Sequence, residues 1–496
     1  MKRKNIYQSL MLLLLVAFLA ACSKKTDYTN VIPADASAVA GVNLKSLATK
    51  SGLNDVENKE FKQKLTDAIK NGLSATAFKQ MEKIIDNPIE SGIDFSEPIY
   101  FFTARTLPFP ALTMKVSDIE KVHATLEAMA SEHVCQPTVK VDGYDFTTFA
   151  DGTLCAYTKN TMLIVSSIPS SQVESVKKTL SALIKQDAEK SVVKNKGFIK
   201  MREQKGDLIF FASMRDLPSS YAKQIKFGLS EELDMSQLFI LGDLNFEKGK
   251  ISLKYETYTE DKELLVQLKK QEKAFGTLKG SLISHFPASS VAYMTVNTKG
   301  EDFYKLLSEN KGFLNSFIGA ERSEIKKLIT HIDGEVAVAV TGVSLFGMPS
   351  FIAYAEINDE VAISALKKYA ALSRMPMYVG QSGKSVYITN DKNLMALAGK
   401  KQEESLKEAT FASNIKGNAY YMVINAEALL KLPLIKSLSN FGEEFGMYHN
   451  LASQISYMEF RGVSNGKGEV NLALQNKDKN ALKQIVGFAK QFIGLQ

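Results

Sequence analysis

Apolar and polar positions follow two periods along this chain, and the order in which those periods succeed one another occurs twice. An apolar strand is expected near Val39 to Asn43, followed by helical text to about Ile85. A hairpin comes next, Ile99 to Ala104 and Ala111 to Val116, closed by Leu107-Pro108-Phe109-Pro110, where the prolines end pairing. Helical spacing returns from Asp118 to Met129, with Ile119, Val122, Leu126 and Met129 three or four residues apart. Val139 to Phe149 and Leu154 to Val165 read as a meander whose turns, Asp142-Gly143 and Asp151-Gly152, tolerate the positive φ of tight hairpins. A helix from about Ser170, a strand at Leu208 to Ser213, another helix, two strands around Leu238 to Tyr258 and a closing helix to Phe275 complete the series.

The second half runs through the same order. A strand at Val291 to Val296 precedes helices to Thr330, a hairpin at Val336 to Val340 and Phe351 to Ile357, and a helix to Ala370. Strands follow around Tyr378, Val386 to Thr389 and Leu394 to Leu397, then Tyr420 to Ile424, a helical stretch, Ile455 to Val463, Glu469 to Leu474 and a last helix to Phe492. Residues 33–45 can be laid over 287–299 without a gap, and six of the thirteen positions match. Ile93-Asp94 meets Ile332-Asp333, Pro110 meets Pro349 and Asp118 meets Asp359, at offsets of 239 to 241. Mostly antiparallel strands interrupted by helices make the fold class α+β, with two tandem, duplicated domains expected over residues 31–280 and 281–496.

The first residues change the picture of where the chain works. Lys2, Arg3 and Lys4 precede an apolar run from Leu10 to Ala21, about a dozen residues, against the roughly 20 that span a bilayer as a helix. The run ends in Leu19-Ala20-Ala21-Cys22, the outline of a lipobox, in which small residues admit a peptidase and the Cys22 thiol takes a diacylglycerol. The expectation is a signal peptide over residues 1–21, lipidation at Cys22 and a polar tether over 22–30. Acyl chains contribute about 0.8 kcal/mol per buried CH2, so more than one chain would hold the protein at a membrane durably. Removing residues 1 to 21 leaves 58 cations against 54 acids, a net charge of +4, which speaks against nucleic acid as a partner. Cys135 and Cys155 are the remaining cysteines: an oxidising compartment invites a disulfide, whereas their places on either side of the meander would hold them apart as buried thiols.

The lipobox, together with Asp27-Tyr28-Thr29-Asn30-Val31-Ile32-Pro33-Ala34-Asp35-Ala36 and Val42-Asn43-Leu44-Lys45-Ser46-Leu47, resembles a family of domain-of-unknown-function lipoproteins from Bacteroidetes. The resemblance covers the whole chain. It implies a cell-envelope lipoprotein at the outer membrane and supplies no catalytic residues. Outer-face lipoproteins of those bacteria look to carry an acidic stretch after the lipidated Cys; Ser23-Lys24-Lys25 departs from that and tilts the expectation towards the periplasmic side.

Candidate chemistry is sparse. His123, His133, His285, His331 and His449 are scattered without metal-ligand spacing, and no metal or other cofactor is expected. Ser344 sits in a motif one residue too long for a nucleophile elbow, and Gly383-Lys384-Ser385 lacks the earlier glycine of a phosphate loop. Ser364 and Lys367 fit S-x-x-K without a K-T-G partner. The equivalent hairpins carry apolar tips, with Leu107 and Phe109 in one and Leu345 and Phe346 in the other. Exposed, these tips would be a partner contact; tucked in, they would be core. The sequence therefore points to a non-enzymatic, lipid-anchored binding or scaffolding module whose partner is the membrane together with an envelope protein or an apolar ligand. Rival readings are a carrier enclosing an apolar ligand between sheet and helices, which Phe-rich, Met-containing strands permit, and a hydrolase whose residues meet only on folding.

Overall fold

The computed structural model describes residues 27–60, 63, 66–67, 75–216, 234–309, 320–343, 348–357, 359–373, 376–438, 443–463 and 466–492. Among them are strands β1 (Ala36–Val42), β2 (Ile99–Ala104), β3 (Ala111–Lys115), β4 (Val139–Val141), β5 (Tyr144–Thr148), β6 (Leu154–Tyr157), β7 (Thr161–Val165), β8 (Leu208–Ser213), β9 (Phe239–Glu247) and β10 (Lys250–Tyr258). The second half adds β11 (Ala292–Lys299), β12 (Ile332–Val343), β13 (Pro349–Ile357), β14 (Tyr378–Ser382), β15 (Ser385–Thr389), β16 (Tyr420–Asn425), β17 (Ile455–Val463) and β18 (Lys467–Leu474). Every strand pairing described below is antiparallel, and helices lie between the strands, so the fold class is α+β.

Among the described residues, the first compact unit comprises 27–36, 66–67 and 75–198. Its strands run β2-β3-β7-β6-β5-β4. The expected helix is Ile119–Ser131, started by Asp118, whose carboxylate accepts from the Glu120 and Lys121 amides. It lays Val122 and Leu126 against Cys155, Tyr157 and Met162. All four residues of β6 are buried, and the helix Val173–Ile184 also packs on that strand. Residues expected in the tether are part of this body. Tyr28 is 6% exposed and donates its hydroxyl to the Pro98 carbonyl at 2.7 Å, while the Gln186 amide donates to the carbonyls of Asn30 and Ile32.

The second unit comprises Ser37–Leu65 with Ile199–Gln496. Twelve strands form one continuous sheet here, in the order β1-β8-β9-β10-β18-β17-β16-β11-β12-β13-β15-β14. The series β1-β8-β9-β10 and the series β11-β16-β17-β18 have the same internal order, and β10 pairs with β18, its counterpart. A charge ladder crosses that seam: Asp243 faces Lys254, Lys254 faces Glu469, and Glu469 faces Arg461, whose Nη2 stands 2.6 Å from the Glu469 carboxylate. Residue 280, the expected division, therefore falls inside the second unit, because backbone pairing across the seam welds strands of both halves into one sheet.

One expected strand is a helix. Leu394 to Leu397 belongs to Lys392–Leu397, which Asp391 caps by accepting from the Asn393 amide. A four-residue apolar run carries no period long enough to separate strand from helix.

Candidate functional site

The two faces of the twelve-stranded sheet are both apolar; one is closed over β11, β12, β13 and β16, whereas the other, among the described residues, is closed at β13 and β15 by the helices Ala320–Thr330 and Val361–Leu372 and left open from β8 to β12. On the closed face Tyr293, Ala337, Ala339, Ile352, Tyr354, Tyr421 and Val423 are each at most 1% exposed, covered by Leu278, Leu282, Phe286, Leu394, Leu406, Phe411 and Ile415. The Glu459 carboxylate lies on this same face, accepting from the Tyr421 hydroxyl at 2.7 Å and from the Asn414 and Asn471 amides at 3.0 and 2.9 Å. Side chains alternate along a strand, so the neighbours of these residues line the opposite face.

Reading across that opposite face, the register sets Leu208, Leu244, Leu253, Val470, Phe460, Met422, Met294 and Val338 side by side on eight consecutive strands. A parallel row of Phe246, Ile251, Leu472, Met458, Ile424 and Ala292 lies two residues further along. None of these fourteen side chains is buried, and Met294 is 47% exposed. A sheet face that meets water is ordinarily polar. An apolar face left half-buried is a surface that gains free energy when something apolar covers it.

The face ends in an aromatic plate. Tyr420, Gly462, Gly468 and Tyr255 stand opposite one another on β16, β17, β18 and β10, and the two tyrosine hydroxyls meet at 2.9 Å. A Cβ at Gly462 would collide with the Tyr420 ring, and one at Gly468 with the Tyr255 ring. Glycine at these two positions is what lets both rings lie flat on the sheet. Gly242 and Phe210, in the β9 and β8 positions of the first series, repeat the device. Burial first, then the bond to Tyr255, pushes the Tyr420 phenol above its ordinary range, so Tyr420 stays protonated and the two rings form an apolar surface with a hydrogen-bonded centre.

Beyond the plate lies a cleft of about 720 Å³ at the ends of β10, β16, β17 and β18. The helix Lys262–Lys273 forms a wall through Leu265 and Leu268, joined by Leu238, Phe275, Leu306 and Val463. Lys200, Lys269 and Lys467 line it with Glu256 and Glu272. Glu256 serves two of the lysines, at 3.6 Å from Lys200 Nζ and 3.7 Å from Lys467 Nζ. A smaller hollow of about 560 Å³ in the first unit is lined by Asp27, Lys140, Asp145 and Lys159 among others.

The residues singled out from the sequence lie elsewhere. Cys22, Ser344, Leu345 and Phe346 fall outside the described residues. Leu107 is 1% exposed, which removes it as an outward contact; reciprocal hydrogen bonds between its backbone and that of Ala104, each 3.1 Å, fold it inward, and Phe109 is half-buried. Cys135 and Cys155 are buried free thiols, so the disulfide weighed above is not formed. Cys135 bridges Phe149 and Cys155 pairs with Thr147, so the strand carrying residues 147–149 lies between them. Two strand spacings are roughly 9.6 Å, beyond the reach of a disulfide. Among the histidines, His123 Nδ1 meets the buried Tyr157 hydroxyl at 3.1 Å and His331 stands 3.4 Å from Asp359. Ser364 and Lys367 share the helix Val361–Leu372, while Gly383 turns β14 into β15 with φ +57°. Among the described residues no group of three or more His, Cys, Asp or Glu is placed to hold a metal ion, and no helix is long and apolar enough to cross a membrane.

The open face escaped the sequence reading, although β10 carries its signal: Ile251, Leu253 and Tyr255 alternate with Ser252, Lys254 and Glu256. That alternation marks a covered side and is silent on what covers it.

Residues 28–482 match a family described as a domain of unknown function. No curated protein matches the chain. Among solved structures, crystal form IV of TP0453 is 13% identical, aligning over 47% of this chain and 81% of that one with a TM-score of 0.26. Crystal form III of TP0453 is 11% identical over 74% and 93%, with a TM-score of 0.20.

Proposed function

The chain belongs to the DUF4836 family, a domain of unknown function, and from that premise we propose that it is a non-enzymatic binding module, held at an envelope membrane through Cys22, whose open sheet face takes an apolar ligand. The observation that carries the reading is the pair of rows from Leu208 to Val338 and from Phe246 to Ala292, apolar throughout and nowhere buried. Flexible Met294, Met422 and Met458 sit within them, a composition that adapts to ligands of varied shape. This favours the carrier form of a binding module over a scaffold, because the surface lies on a broad sheet face instead of at a hairpin tip. The anchor follows from the leader and the lipobox. Tyr28 is already packed, so the Cys22-to-Asp27 segment would keep the first unit within about 17 Å of its acyl chains, at roughly 3.4 Å per residue.

Two measurements test the proposal. The mature chain should bind the neutral apolar probe N-phenyl-1-naphthylamine, and Met422→Asp with Phe460→Asp should abolish binding while circular dichroism stays unchanged. An undiminished signal in that variant sinks the ligand reading. In cells, Cys22→Ala should move the protein from the membrane fraction to the soluble one; retention after high-salt washing sinks the anchor.

A further inference from the structure

We infer that the ligand is an anionic amphiphile, a single acyl chain ending in a carboxylate, whose head lies in the cleft beside Lys269 and the Lys200–Glu256–Lys467 cluster and whose tail crosses the Tyr255–Tyr420 plate onto the open rows. The inference rests on the apolar reading of that face and adds the ligand's polar end and its direction.

Charge complementarity carries it. Glu256 stands between Lys200 and Lys467 at 3.6 and 3.7 Å, so two cations share one anion and the cluster keeps a positive charge. Lys200 Nζ also lies 5.0 Å from the centre of the Tyr258 ring, which fixes it at the cleft. Lys269, on the exposed side of its helix, lines the same cleft with no ion pair among the described residues. Glu272 is the opposing charge, and the three lysines and two glutamates leave the lining at a net +1. A carboxylate placed among these groups would complete the pairing that Glu256 divides.

The apolar parts then fix direction. The plate borders both the cleft and the open face. From Tyr255 the strand leads through Leu253 to Ile251, and from Tyr420 through Met422 to Ile424, each a path of about 13 Å at roughly 3.3 Å per residue. A ligand with a charged head and an apolar tail satisfies both ends at once. A wholly apolar ligand would leave the lysines unanswered, and a small anion would leave the face uncovered.

Equilibrium dialysis of the mature chain against radiolabelled dodecanoate, below its micelle concentration, tests this beside dodecanol. Dodecanoate should bind about tenfold more tightly at low salt, and the advantage should shrink as ionic strength rises. Lys269→Glu with Lys467→Glu should erase the advantage and leave dodecanol binding unchanged; Lys269→Gln, at an exposed helical position, should reduce it without disturbing the fold. Equal binding of the two compounds, untouched by these variants, would overturn the head-group assignment and leave the apolar reading standing. Dodecanoate retained only when presented in vesicles would also overturn it. Failure of both compounds to bind the native chain would remove the apolar reading as well.

Discussion

Neighbouring positions on β16 offer a direct comparison of the two sheet faces, because Val423 and Met422 share a strand and point to opposite sides. Val423 is 0% exposed among Tyr293, Tyr421 and Phe411, whereas Met422 is half-buried on the open face. Val423→Ala removes two methyl groups from a filled core. At about 0.8 kcal/mol per group, with a further term for the cavity left behind, the loss should be about 2–3 kcal/mol. A buried methionine cut to alanine costs about 2–5 kcal/mol, so a covered Met422 would be the more damaging site of the two. With the face open, Met422→Ala should cost only about 1–2 kcal/mol, since part of the removed surface is still in water and no closed cavity is left behind. Thermal unfolding without ligand reads the contrast: at about 2–4 °C per kcal/mol, Val423→Ala should lower Tm by roughly 5–10 °C and Met422→Ala by clearly less. A Met422→Ala loss that equals or exceeds the Val423→Ala loss would refute the open face.

Three further outcomes are expected. Asp207, 2% exposed at its side chain, accepts from Lys50 Nζ and the Phe246 amide, both at 2.7 Å, and from the Ser46 hydroxyl; Asp207→Ala strands that lysine and should cost about 3–5 kcal/mol in urea unfolding. The Asp94 carboxyl is held below its usual range, first by the Ser96 hydroxyl and then by Lys115, so its contribution is present above the unfolded pKa of about 3.9 and is lost as pH falls through the lower folded value. Asp94→Asn should flatten the acid limb of a stability-versus-pH curve, and an unaltered limb would contradict the assignment. Burial pushes the Cys155 thiol up to about 12 and raises that of Cys135, so iodoacetamide at pH 8 should modify neither in the native chain and both after denaturation, as read by mass.

The legible part of the fold was local. Asp118 ahead of Ile119, Val122 and Leu126 announces a capped amphipathic helix, and Asp142-Gly143 and Asp151-Gly152 announce turns that the structure makes with φ of +85° and +84° at the glycines. The seam was not legible. The pairing of β10 with β18 joins Lys254 to Glu469, and the Asp243–Lys254–Glu469–Arg461 ladder exists only once those strands meet. Nothing in the spacing of four charges within separate strands states that they will align. The candidate site was half legible for a related reason. Alternation in β10 separates Leu253 from Lys254, but a period describes which side chains leave water and never what they leave it for. The glycines of the plate carry the same lesson: Gly462 and Gly468 read as weak points of strands until Tyr420 and Tyr255 are seen lying over them.

Photocrosslinking with a diazirine-bearing long-chain alcohol, followed by peptide mapping of the mature chain, tests the central claim most directly. The account predicts adducts at Leu253, Met422, Phe460 and Val470, side by side on one face of β10, β16, β17 and β18, with none at Val423 or Tyr421 on the other. Adducts spread evenly over both faces, or confined to the first unit, would contradict it.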